Sequence, residues 1–512
     1  MRRLPLLLIS VALLLTAWSA TAGIPRTEAQ QAITKIRGQE PLRSALVGLL
    51  AVRASGDTVA AINIREKLVP ASNMKLLTTG LALHRLGADF RFETKLAYTG
   101  EIVEGRLQGD LYLIGGGDPT TGARTDCAEA VSKTFAAWAE LLSDAGITAI
   151  DGRVLGDPRI FGDVTPQNLG WTFDDLGCNY GAGPTGLNFF ENAQNFYITP
   201  GAAGLPVNYR VQYPDTPWMQ YANHTVTGSA RSSNTLYYVG GSLAPLGELA
   251  GSFPIDRRGY TLECTNAYGA YTCAYYFHNY LQQTAGLEVT GGWGDLTPQG
   301  EVRTDLSFGA PTAAAAAPEE LTRLGSTFSA PLSEIVRDTN GQSDNFYAET
   351  LLKMVSLRSG RTAGQDDCQD AAEAGLRALG LRTDNAYQQF DGSGLSRKNY
   401  VSPEFFVKFL RKMTTLPVWD AFFASLPVPG TKGTLEDRFP KATQEFKDRI
   451  HMKTGSMNGV RCFSGYILST DGDPKHTIVF SLLVNNCPAS SYLMVPPMDA
   501  IIEALAAEND DQ

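Results

Sequence analysis

From about residue 157 to residue 300 the sequence loses helical periodicity: it is rich in Gly, Asn, Tyr and Thr, and Pro interrupts it repeatedly. Such a segment fits short strands joined by long loops. The residues on either side carry apolar patterns of a different kind, so the block is read as β-rich material, one or two small domains, inserted into another fold. Residues 310–318, nearly all Ala and Pro, read as the hinge between this block and the C-terminal part of the chain. A chain of 512 residues has room for two to four domains with separate cores.

The flanking segments show clearer elements. A short helical stretch near 30–36 precedes two strands within 45–64, joined at the turn Ser55-Gly56-Asp57. Val69-Pro70-Ala71-Ser72 then opens a helical segment carrying Met74, Leu76, Leu77, Leu81 and Leu83. Residues 92–114 alternate like strands, broken by Gly100, Gly105 and Gly109, and a helix near 127–145 and a strand near 148–156 follow. Beyond the hinge, helical patterns cover 332–337, 346–357, 368–379 and 403–413. Two strands near 462–469 and 476–485, split by Asp471-Gly472-Asp473-Pro474, and a helix near 493–507 close the chain.

Arg2 and Arg3, the apolar run from Leu4 to Leu15 and the small residues Ala20-Thr21-Ala22 have the pattern of a cleaved secretory signal over residues 1–22. The apolar run is shorter than the roughly 20 residues a membrane span needs. Its removal leaves 490 residues and, with Arg2 and Arg3 gone, shifts the formal net charge from −10 to −12. Export predicts a periplasmic location. The acidic balance argues against nucleic acid as a partner, because that binding relies on Lys and Arg neutralising phosphates. Seven cysteines remain, Cys127, Cys178, Cys264, Cys273, Cys368, Cys462 and Cys487. In an exported chain some are expected to pair, Cys264 with Cys273 as the first choice, and the odd count leaves at least one thiol over, for which Cys368 is the choice.

Several common hydrolytic solutions are absent: the five histidines form no His-Glu-x-x-His, and there is no Gly-x-Ser-x-Gly elbow or Walker-type phosphate loop. A lysine-assisted serine remains. In Ser72-Asn73-Met74-Lys75 the serine and lysine lie three residues apart on one helix face, where Cβ atoms are about 5–6 Å apart, so the amine can reach the hydroxyl. Burial or a cationic neighbour would lower the lysine pKa from its usual value of about 10.4 and make it a base. Ser72 would also sit at a helix N-terminus, where backbone N–H groups favour developing negative charge. Ser343-Asp344-Asn345 falls between two helical segments, on a loop that can relay a proton and fix a carbonyl. In Lys453-Thr454-Gly455, on a strand, Lys453 and Gly455 share one face; the glycine leaves room for a ligand backbone, while the lysine and the Thr454 hydroxyl can hold a carboxylate. Each motif alone has a structural explanation: serine, aspartate and asparagine cap helices, surface lysines are common, and Lys-Thr-Gly can be a turn.

The three motifs in this order, on these elements, resemble the serine β-lactamase and penicillin-binding protein fold. The 271 positions from Ser72 to Ser343 exceed what a compact β-lactamase domain uses there. Such a long insertion is similar to the class C low-molecular-mass penicillin-binding proteins, the penicillin-binding protein 4 type. Gly115-Gly116-Gly117-Asp118-Pro119, Asp391-Gly392-Ser393-Gly394-Leu395-Ser396-Arg397 and Gly433-Thr434-Leu435 resemble segments of that family.

The resemblance implies an α+β fold: a transpeptidase-like domain, an antiparallel sheet flanked by helices, built from residues 23–90 and 319–512. An inserted domain would occupy 91–162 and 290–318, and a nested β-rich domain 163–289. It implies a serine DD-peptidase that acts on peptidoglycan stem peptides and crosslinks as carboxypeptidase and endopeptidase, needs no metal or organic cofactor, and is acylated by β-lactam antibiotics. Carried residue by residue, Ser72 would be the nucleophile, Lys75 the proton acceptor and Ser343 the relay to the leaving amine. Asn345 would hold the substrate backbone, Asp344 would contact the crosslink's second stem, and Lys453 and Thr454 would engage the terminal carboxylate beside Gly455. The N–H groups of Ser72 and Ser456 would form the oxyanion hole. The rival readings are a β-lactamase, disfavoured by the insertion, and a non-catalytic wall-binding protein, disfavoured by the intact Ser72, Lys75, Ser343 and Lys453. A homodimer, and peripheral membrane association through an amphipathic helix, stay open.

Overall fold

Strand Leu46–Arg53, near the start of the chain, pairs along all eight residues with Ile478–Asn485, near its end. The pair forms the middle of a five-stranded antiparallel sheet. Its order is Thr58–Ile62, Leu46–Arg53, Ile478–Asn485, Val460–Ile467 and, at the edge, Ile450–Met457. The computed structural model describes residues 25–162, 167–241, 244–307, 313–316 and 320–508. The expected signal segment, residues 1–22, lies outside them.

Both central strands are buried along nearly their whole length, which requires cover on both faces of the sheet. Side chains alternate between those faces. Val47, Leu49 and Ala51 join a core with Phe463, Leu482 and residues of the closing helix Ser491–Ala507, among them Met498, Ile501 and Leu505. Leu50 and Val52 face the opposite core, filled by the helices Met74–Leu86, Asn345–Arg358, Gln365–Ala378 and Pro403–Met413. A fully buried Leu, Ile or Phe side chain contributes about 1.5–3 kcal/mol, so the alternation holds the register firmly. Helix Met74–Leu86 runs through the middle of this layer: every residue from Met74 to Leu83 is buried. It ends at Gly87, whose φ of 89° suits glycine and whose N–H bonds to the Leu83 carbonyl at 2.9 Å.

The insertion builds on a seven-stranded mixed sheet. Its order is Ala313–Ala316, Glu301–Arg303, Trp293–Leu296, Val154–Asp157, Leu111–Ile114, Glu93–Tyr98 and Thr322–Phe328. Within it are nested two three-stranded sheets, Asn208–Tyr213/Ala193–Thr199/Tyr260–Thr265 and Gln220–Gly228/Leu246–Pro254/Tyr237–Gly240, over a core that includes Phe196, Tyr238, Leu249 and Phe253.

Four expectations change. Residues 157–300 contain a 12-residue helix, Gly269–Tyr280, buried on almost every side against Phe135 and Trp138; without a polar face it shows no amphipathic period. Part of the expected hinge, Ala313–Ala316, is a strand paired with Glu301–Arg303, and the rest of 310–318 lies outside the described residues. Strand Thr322–Phe328, assigned by sequence to the transpeptidase-like part, pairs with Glu93–Tyr98 of the inserted sheet. None of the seven cysteines, all of them among the described residues, is in a disulfide. Cys264 and Cys273 belong to two different cores, and the backbone neighbour of Cys264 is Cys178, across an isolated bridge.

The edge strand Ile450–Met457 is seated on the turn that carries Ser72. A Cβ at Gly455 would lie 2.7 Å from the Pro70 carbonyl oxygen and 3.1 Å from the Asn73 nitrogen. The absent side chain therefore makes room for the chain's own backbone, not for a ligand as the sequence suggested. Gly455→Ala should push strand and turn apart and destabilise the protein by about 1–3 kcal/mol, read as a lower thermal unfolding midpoint. An unchanged midpoint would show that the strand is not seated there.

Candidate active site

Ser72 lies in the short 3-10 turn Ala71–Asn73, which runs directly into helix Met74–Leu86. The Lys75 amine, on the first turn of that helix, is 3.0 Å from the Ser72 hydroxyl oxygen. The same amine donates to Asn345 Oδ1 at 2.6 Å and to the Ser393 carbonyl at 2.9 Å. Lys75 has no exposed surface. Burial lowers its pKa to about 8, while the negative charges of Asp344, Asp391 and Glu349 hold it up. At neutral pH roughly a tenth of the amine is then unprotonated, enough to accept a proton from the hydroxyl it touches.

Ser343 lies just past the end of helix Leu332–Gly341 and just before helix Asn345–Arg358, with φ of 64°. Ala71, immediately before Ser72, is also in the left-handed region at 46°. Non-glycine residues held there carry strain of about 1 kcal/mol or more, and here one of them adjoins Ser72 and the other is Ser343 itself. The Ser343 hydroxyl accepts from the Lys453 amine at 2.8 Å; Lys453 also donates to the Thr454 carbonyl at 2.8 Å. Lys453 is fully buried, and burial, together with the positive charge of Lys75, drives its pKa well below the usual lysine value.

Along the edge strand the Met452 N–H turns away from the sheet to the Pro427 carbonyl at 3.0 Å. N–H directions alternate along an antiparallel strand, so the Thr454 and Ser456 N–H groups point to the same open side. Asp344 is the N-cap of helix Asn345–Arg358 and accepts from the Tyr347 N–H at 2.8 Å; its carboxylate is committed to the helix end.

Three partners of this site lie outside the three motifs. The Ser393 carbonyl, which anchors Lys75, sits in a loop pinned by Asp391, whose carboxylate accepts from the N–H groups of Gly394 and Ser396, from Asn399 Nδ2 and from Trp171 Nε1. The Tyr180 carbonyl accepts from Asn345 Nδ2 at 3.0 Å. Both contacts, to Lys75 and to Asn345, use backbone oxygens, which any residue could supply. The third, Glu349, is a buried carboxylate one turn beyond Asn345 on helix Asn345–Arg358. Among the described residues no group of three or more His, Cys, Asp and Glu side chains is placed to hold a metal ion, and no helix is long and apolar enough to cross a membrane.

The chain is 30% identical over 509 residues to a D-alanyl-D-alanine carboxypeptidase of Actinomadura sp. (strain R39), covering 96% of this chain and 86% of the relative. It is 26% identical over 451 residues to the D-alanyl-D-alanine carboxypeptidase DacB of Haemophilus influenzae, covering 85% of each. The crystal structure of penicillin binding protein 4 (dacB) from Haemophilus influenzae superposes with a TM-score of 0.77 at 22% identity, covering 93% of this chain and 98% of that one; this bears out the α+β fold. The model of the D-Ala-D-Ala carboxypeptidase 3 (S13) family matches residues 29–505, and the chain belongs to that family.

Proposed function

We propose that this chain removes the terminal D-alanine from peptidoglycan stem peptides, and cuts D-alanyl crosslinks, through an acyl-enzyme on Ser72. The observation that carries the reading is the buried Lys75 amine, 3.0 Å from the Ser72 hydroxyl. Lys75 accepts the hydroxyl proton as Ser72 Oγ attacks the carbonyl carbon of the penultimate D-alanine. The oxyanion is received by the N–H groups of Ser72, beside a helix N-terminus, and of Ser456 on the open strand edge. Ser343, held by Lys453, relays to the leaving amine, as the C–N bond breaks, the proton that Lys75 took from Ser72, so that Lys75 and Ser343 return to their starting states. Water then attacks the ester carbonyl and releases the acyl group. Lys453 and Thr454 receive the substrate's terminal carboxylate, Asn345 holds its backbone, and Asp344 faces the crosslink's second stem only through the helix end it caps. β-Lactam antibiotics present a similar carboxylate and strained amide, and acylate the same serine. Export by residues 1–22 would deliver the enzyme to its polymer in the periplasm.

Ser72→Ala should abolish labelling by a fluorescent penicillin and lower D-alanine release by more than about a thousandfold; release at the parental rate would remove Ser72 as nucleophile. A penicilloyl-enzyme that persists by mass spectrometry separates this reading from that of a β-lactamase, which would turn the antibiotic over.

Because Lys75 must be unprotonated to act, the acylation rate should rise with pH through about 8 and level off above it. A rate flat from about pH 6 to 9 would exclude Lys75 as the base. Lys453→Ala removes the donor that holds Ser343 and the charge that faces a carboxylate. It should lower second-order acylation by about 10- to 100-fold, and unchanged kinetics would take Lys453 out of the site.

A further inference from the structure

We propose that Glu349 is a positioning residue for the acylation of Ser72: its carboxylate clamps the loop whose Ser393 carbonyl anchors the Lys75 amine. The inference rests on the reading of Ser72 and Lys75 given above and adds a residue outside the three motifs. Glu349 lies one turn beyond Asn345 on helix Asn345–Arg358 and is buried. One of its carboxylate oxygens accepts from the Gly392 N–H at 3.1 Å and the other from the Ser393 N–H at 2.8 Å. The helix bearing Ser72 grips the same two residues through their carbonyls. Thr78 Oγ1 donates to Gly392 at 2.7 Å and Lys75 Nζ to Ser393 at 2.9 Å. Two consecutive residues are thus held through their N–H groups by Glu349 and through their carbonyls by the catalytic helix. The loop has no slack against the Glu349 helix either, since a Cβ at Gly392 would lie 2.5 Å from the Ala348 carbonyl oxygen.

Both carboxylate oxygens meet N–H donors, so the geometry fits the ionised acid; a proton on either oxygen would face a donor and cost a hydrogen bond. Keeping a charge there is expensive: burial, with the negative Asp391 alongside, pushes the Glu349 pKa up to about 7. A residue serving only as framework would not need that charge. The charged groups facing it are Lys75 from the helix Met74–Leu86 and Asp391 from the loop, with Lys353 one turn along lining the same surface depression. Glu349 therefore acts on Lys75 twice, through the Ser393 carbonyl and through its negative charge, and both favour the protonated amine.

The test measures acylation by a fluorescent penicillin in the full chain, with Glu349→Gln and Glu349→Asp, from about pH 6 to about pH 9. In Glu349→Gln the plateau rate should fall about tenfold, and the acid limb should move to lower pH, because the negative charge that favours protonated Lys75 is gone. In the parent the limb should be steeper than one proton, since Lys75 must lose a proton and Glu349 must not hold one. Glu349→Asp keeps the charge but pulls it back by one methylene, so its plateau should fall while its midpoint stays near the parental pH. Should the glutamine variant fail to fold, the aspartate variant decides. A plateau and midpoint equal to the parent's in whichever variant folds would overturn the proposal. Peptide mass spectrometry of the parent keeps the two readings apart. No acyl group on Ser72 means the site reading has failed, whereas acylated Ser72 with unaltered kinetics in the variants means that only the role of Glu349 has failed.

Discussion

A lysine side chain with no exposed surface is the most demanding group in this molecule. Burying an ammonium without partners costs several kcal/mol, so the fold must bring acceptors to Lys75 or give up its charge. It brings three from three separate stretches of chain: the Ser72 hydroxyl from the preceding turn, the Asn345 amide oxygen from a helix 270 residues on, and the Ser393 carbonyl from a loop further still. The pKa of about 8 is the balance of burial against the carboxylates of Asp344, Asp391 and Glu349. Stronger pairing would lock the proton on the amine. Weaker pairing would leave a buried polar group short of partners. The intermediate position lets the amine exchange a proton near neutrality.

The route of the chain answers the same need. The sheet is closed by its two ends, Leu46–Arg53 against Ile478–Asn485, and this brings the edge strand carrying Lys453 onto the turn carrying Ser72. Everything between must leave this core and return to it, and the seven-stranded sheet with its nested strands is where it goes. The second buried lysine repeats the pattern of the first. Lys453 gains the Ser343 hydroxyl and the Thr454 carbonyl, and burial, with the positive charge of Lys75 added to it, holds its proton loosely.

How much of this could be read in advance depends on whether a feature leaves a mark on side-chain type. Helix Pro403–Met413 was legible to the residue, because Ser402 caps it through its hydroxyl and Pro403 opens it. The motif residues Ser72, Lys75, Ser343, Asn345 and Lys453 were legible because their spacing matches elements of opposite period. Helix Gly269–Tyr280 was not, since burial on nearly all sides erases its amphipathic stripe and Tyr268 gives no side-chain cap. The Gly455 contact was misread for a related reason: a glycine announces that something comes close, not what it is. The Ser393 and Tyr180 carbonyls are backbone atoms, and no residue type marks them.

The insertion is bound into the catalytic cleft rather than hung from it. Trp171 Nε1 donates to Asp391 at 2.9 Å, Asn168 Nδ2 to the Phe390 carbonyl at 3.0 Å, and the Thr125 and Tyr347 hydroxyls meet at 2.5 Å. The Tyr180 contact is the most consequential of these. The Asn345 amide has two ends of opposite polarity, and Lys75 must meet the oxygen; turned the other way, an amide NH₂ would face an ammonium. At its other end the amide NH₂ donates to the Tyr180 carbonyl, so both ends of the amide meet a group of matching polarity. One backbone oxygen from the insertion thereby supports the orientation that the Lys75 amine requires. A change in the insertion that withdrew this carbonyl would reach the Ser72–Lys75 pair without touching either residue.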